Sequence, residues 1–108
     1  MPRSPHRYIL VKFLSEDPIS AEAVEQATRS SIEDLLGKLG AAEVRARMIG
    51  FEEQAKRAVF RCDLKSVERL RAALALMTRV GGKPVAVMTT RSSGTIKALN
   101  VRLPSRRR

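Results

Sequence analysis

Two stretches of helical periodicity, each framed by short strand-like runs, set the tightest limit on how this chain folds. Arg7 to Leu14 is rich in β-branched and aromatic residues and almost continuously apolar, the pattern of a strand lying centrally in a sheet. A helix follows, opened by Asp17-Pro18 or by Ser20, because Asp and Ser cap well and Pro fits the first turn. Its apolar stripe is Val24, Ala27, Ile32, Leu35, Leu36 and Leu39, and Gly40 is the expected stop. Glu43 to Ile49 alternates, with Val44, Ala46 and Met48 facing one way and Glu43, Arg45 and Arg47 the other. Gly50 to Gln54 reads as a turn. Lys56 to Leu64 alternates again, Ala58, Phe60, Cys62 and Leu64 against Val59, Arg61 and Asp63. Ser66 is placed to cap a second helix, whose face is Val67, Leu70, Ala73, Leu74 and Met77. Gly81-Gly82 ends it, and Val85 to Thr90 makes a fourth strand.

The order β-α-β-β-α-β predicts an α+β domain, a ferredoxin-like or RRM-like sandwich with a four-stranded antiparallel sheet. Right-handed crossovers put both helices on one face and leave the other face free. The first and fourth strands are neighbours in this plan, so basic segments near the two termini converge. Residues 1–6 read as a flexible lead-in, 7–103 as one domain and 104–108 as a basic tail. A short C-terminal helix over Thr95 to Leu103 is expected, cut off by Pro104.

Charge follows position. The chain carries a net +10, yet residues 15–39 are acidic by four charges, and Gly81 to Arg108 holds seven bases and no acid. A fold with one basic and one acidic side carries the electrostatic footprint of a nucleic-acid-binding domain. Within the basic stretch, Arg91-Ser92-Ser93-Gly94-Thr95-Ile96-Lys97 combines hydroxyls, a glycine and two cations, donors suited to phosphate. The lone Cys62 and the absence of a ~20-residue apolar run fit a reducing, cytoplasmic setting without a membrane span.

Catalysis by the protein finds little support. His6 is the only histidine, expected in the lead-in with nothing to orient it, and Cys62 sits among apolar neighbours as an inert buried thiol. No P-loop or dinucleotide fingerprint appears. Standard RNA-recognition modules stack bases on aromatics of the first and third strands. The third strand here lacks the accompanying glycine, and the whole chain has only Tyr8, Phe13, Phe51 and Phe60. Backbone and shape recognition are therefore expected to dominate, with Phe60 in the core.

Several segments taken together resemble the protein component 2 family of archaeal ribonuclease P, counterpart of the eukaryotic Pop-five subunit. They are Arg7-Tyr8-Ile9, Arg61-Cys62-Asp63, Val67-Glu68-Arg69-Leu70-Arg71-Ala72-Ala73-Leu74, the Gly81-Gly82 turn and Ser93-Gly94-Thr95-Ile96-Lys97. Their order and spacing run over about 95 residues. The resemblance implies a non-catalytic subunit that supports the catalytic RNA in removing 5′ leaders from precursor tRNA. That RNA uses Mg²⁺, and no cofactor is bound by the protein itself. The implied partners are ribonuclease P RNA, protein component 3 in a two-plus-two assembly with self-association, and precursor tRNA through the holoenzyme. The break at Pro104 departs from family members that continue the last helix. On this reading Arg7, Lys12, Arg91, Ser92, Ser93, Gly94, Thr95, Lys97, Arg102, Arg106 and Arg107 are the RNA-binding candidates. The competing readings are a ribosomal or tRNA-binding protein and a small ferredoxin-like enzyme.

Overall fold

A computed structural model describes residues 5–95. The elements run β1 (His6–Leu14), α1 (Ala21–Val44), β2 (Arg47–Glu52), β3 (Arg57–Asp63), α2 (Val67–Ala75), β4 (Arg79–Val80), β5 (Lys83–Pro84) and β6 (Ala86–Ser93). The main sheet has the order β2-β3-β1-β6, with every pairing antiparallel, as the ferredoxin-like plan requires. The predicted adjacency of first and last strands holds: Tyr8 pairs with Ser93 and Leu14 with Ala86.

One face of the sheet meets the helices. Ile9, Val11 and Phe13 of β1 and Ala58, Phe60 and Cys62 of β3 pack with Leu70, Ala73 and Leu74 of α2 and Val24 and Ile32 of α1. Phe13 and Phe51 meet edge-on at 6.4 Å and 68°. The second helix's stripe is therefore as expected, although the helix itself ends at Ala75 and Met77 is buried beyond it. Gly81 and Gly82 do not stop α2. Both have positive φ, 60° and 80°, and form the two-residue turn of the β4–β5 hairpin. Ser66 lies in a 3-10 turn before α2 and makes no side-chain cap bond; its Oγ is buried without a partner among the described residues.

The first helix departs most from expectation. Ser20 caps it, its Oγ accepting from the Ala23 N–H at 3.1 Å. Gly40 does not end it. The helix kinks at Gly37 (φ 75°, ψ 172°) and resumes to Val44, with Arg45 in the left-handed conformation at its C-terminal cap. Residues 43 and 44, expected in a strand, are thus helical. Val44 is fully buried as the last helical residue, which satisfies the same alternation by other means. Leu39 is 86% exposed and Leu35 also faces solvent, while Thr28 takes a buried place and donates its hydroxyl to the Val24 carbonyl at 2.8 Å. The displaced helix end shifts β2 forward, so Gly50 to Glu52 are strand rather than turn.

Only glycine readily adopts the Gly37 backbone conformation, and strain of this kind costs about 1–3 kcal/mol. Gly37→Ala is expected to lower stability by that amount, read as a reduced urea midpoint. An unchanged midpoint would mean that this kink does not persist in solution.

Candidate nucleic-acid interface

Because side chains alternate along a strand, the register determines which candidates share a surface. Tyr8, Leu10, Lys12 and Leu14 of β1 lie on the face away from the helices. Their β3 partners are Arg61, Val59 and Arg57, and their β6 partners are Ser93, Arg91, Met88 and Ala86. On β2, Arg47 stands opposite Arg61 and Glu52 opposite Arg57. The result is a sheet face with an apolar centre, Leu10 and Val59 covered by Tyr8 and Ile49, and cations around it.

The predicted residues divide between two faces. Lys12, Arg91 and Ser93 belong to the open face. Lys12 donates to the Ala55 carbonyl at 3.1 Å, and Arg91 is exposed. Arg7 and Ser92 stand opposite Cys62 and Ile9, on the helix side of the sheet. Arg7 nevertheless reaches the expected turn: a Cβ added to Gly94 would meet its Nη1 at 3.3 Å. Ser92 and Ser93 are strand residues rather than turn residues, since β6 runs three residues past Thr90. The Ser93 Oγ accepts from the Thr95 N–H at 3.2 Å, closing a local turn around Gly94. Lys97, Arg102, Arg106, Arg107 and the expected C-terminal helix lie outside the described residues.

Arg57 and Arg61 join the open face without having been among the candidates, and Arg47, a cation that alternation already sets on the outward side of the second strand, stands beside them. Alternation alone placed Arg61 on the side opposite Phe60, so its orientation was legible; its neighbours across the sheet were not. Arg57 is already paired, its Nε and Nη2 lying 2.9 and 2.6 Å from Glu52 Oε1. The acidic residues of α1, Glu22 and Glu33, are exposed on the helix layer across the domain.

His6 is not in a lead-in: it is the first residue of β1, half-buried and paired with Asp63. Cys62 is 1% exposed, and burial, helped by the neighbouring Asp63 carboxylate, pushes its thiol up to about 11. A thiol so buried and protonated at neutral pH is a poor nucleophile. Among the described residues no group of His, Cys, Asp or Glu is arranged to hold a metal ion, and no helix is long and apolar enough to cross a membrane.

A ferredoxin-like sandwich with one face of its sheet left open among the described residues and lined with cations defines the class: an RRM-like domain built around a basic sheet. Comparison with known proteins makes this particular. The model of the Rpp14/Pop5 family matches residues 7–103, and the chain belongs to that family. It is 37% identical over 97 residues to ribonuclease P protein component 2 of Thermococcus gammatolerans, covering 90% of this chain and 81% of that protein. The component 2 protein of Methanosarcina barkeri is 34% identical, with 88% and 69% covered. A chain in the cryo-EM structure of yeast ribonuclease MRP shares the fold, with a TM-score of 0.71 at 13% identity, covering 88% of this chain and 78% of that one.

Proposed function

We propose that this chain is a protein subunit of ribonuclease P that binds the catalytic RNA and supports cleavage of 5′ leaders from precursor tRNA. Family membership over nearly the whole described length carries the first half of this reading. The second half rests on the open face, where Lys12, Arg47, Arg61 and Arg91 line one side of the sheet. Cations gathered on one surface neutralise phosphates and release counterions, which supplies much of a protein's affinity for RNA.

The protein supplies electrostatic and shape complementarity, and the RNA performs the hydrolysis with Mg²⁺. The acidic helix layer keeps that side away from RNA and leaves it for solvent or for a protein neighbour such as component 3. A two-plus-two assembly with component 3 and a cytoplasmic location complete the proposal.

Reconstitution tests it. Cognate ribonuclease P RNA at limiting Mg²⁺, with component 3 and precursor tRNA, is expected to cleave efficiently only when this chain is added. The double variant Arg91→Ala, Lys97→Ala should fold normally and lose most of that rescue. Failure of a folded chain to rescue cleavage would overturn the assignment to this RNA.

A further inference from the structure

We propose that the cross-sheet row Ser93, Tyr8, Arg61, Arg47 binds one unpaired nucleotide of single-stranded RNA. The Tyr8 ring stacks on the base, and the two guanidiniums hold the adjoining phosphates. This site rests on the RNA-binding reading above and gives it a specific ligand chemistry.

The aromatic inventory isolates Tyr8. Phe13, Phe51 and Phe60 are 1, 6 and 2% exposed in the core, whereas Tyr8 is half-buried on the free face. Among the chain's aromatics only Tyr8 is therefore available as a platform, which excludes the multi-base stacking of standard RNA-recognition modules but not a single contact. The ring rests on a buried apolar base. Leu10 and Val59 are 6 and 0% exposed, with Ile49 alongside, so the ring is already packed against the sheet without a ligand. A pre-ordered platform loses little entropy on stacking.

The register supplies the charges. Tyr8 pairs with Arg61 on one side and Ser93 on the other, and Arg61 pairs with Arg47. With strands about 4.8 Å apart, the row spans roughly 14 Å, so both guanidiniums fall to one side of the ring. Among the described residues the face carries five cations (Lys12, Arg47, Arg57, Arg61 and Arg91) against two carboxylates. Neither carboxylate is in the row: Glu52 is bridged to Arg57, and Asp63 is buried at the end of β3. An apolar ring beside two arginines suits a base next to phosphates. It suits a paired base poorly, because both faces of a paired base are already stacked.

Tyr8 is the only tyrosine and there is no tryptophan, so intrinsic fluorescence reports on this one ring. Oligouridylate is expected to quench it, and an RNA duplex of equal charge is not. Tyr8→Leu keeps the apolar cover over Val59 and should weaken oligouridylate binding about 5- to 100-fold, while Tyr8→Phe retains affinity. Arg61→Gln and Arg47→Gln should each flatten the salt dependence of oligouridylate binding by about 0.7. Circular dichroism checks that each variant is folded. Unchanged oligouridylate affinity in a folded Tyr8→Leu chain, or absence of quenching on binding, overturns the stacking site. If ribonuclease P RNA still binds in that case, the broader reading stands and only this site falls. Loss of all RNA binding by the unmodified chain would overturn both.

Discussion

Phe60→Ala is expected to lower the free energy of unfolding by about 3–5 kcal/mol, the usual range for truncating a buried phenylalanine. Phe60 is 2% exposed and stands at the centre of the sheet, opposite Ile9 of β1 on one side and Met48 of β2 on the other. Its loss opens a cavity between the sheet and the helices that rigid strands do not readily fill. Domains of this size are stable by about 5–15 kcal/mol, so the variant sits near the edge of folding. A urea titration should show a much lower midpoint, with RNA affinity unchanged in the fraction that remains folded. The opposite result, intact stability with weakened RNA binding, would make Phe60 a base platform and would invert the assignment of the two sheet faces.

Salt should weaken RNA binding steeply. About six phosphate contacts give a slope of log affinity against log salt of roughly −4 to −5. Between 50 and 200 mM salt that slope predicts about a 250- to 1,000-fold loss of affinity. Contributors on the open face are Lys12 and Arg91, and Arg7 reaches the turn at Gly94 just past the end of β6. Arg91→Ala alone should make the slope shallower by slightly less than one. Filter binding across a salt series measures both quantities. A slope near −1 would leave the basic surface with a role in solubility only.

The core position of Phe60 was readable from alternation, because Ala58, Phe60 and Cys62 share a period of two and Arg57 and Arg61 fall on the other side of the strand. The second helix was readable for a similar reason, its stripe recurring at helical spacing. The end of the first helix was not. Residues 43–47 alternate apolar and charged, a pattern that a strand satisfies and that a helix end followed by a left-handed Arg45 satisfies equally well. Gly37 and Gly40 both look like stops; local sequence does not reveal that the backbone turns at the first and continues helical through the second. Gly81-Gly82 reads as the end of the second helix, yet that helix stops at Ala75 and the two glycines turn a hairpin whose ends are held by Thr78, its carbonyl accepting from the Val85 N–H at 2.9 Å.

By itself the sequence determined the order of the main elements, most residues of the core and the separation of acidic from basic segments. Each depends on spacing within a dozen or so residues, where periodicity and capping act. The tertiary structure alone decided which cations share a surface. That outcome depends on pairing across the sheet: Tyr8 with Ser93 and with Arg61, on strands far apart in the chain, and Arg47 with Arg61 between the adjacent strands β2 and β3. A one-residue slip in either register would move a whole set of side chains to the opposite face. The bulges in β2 and β6 are one-residue irregularities of that kind, and they leave Arg91 opposite Leu10 and Gly50 opposite Val59. Strand alternation assigned Arg47, Arg57 and Arg61 to one of two sides, and only the assembled sheet determined what stands beside them.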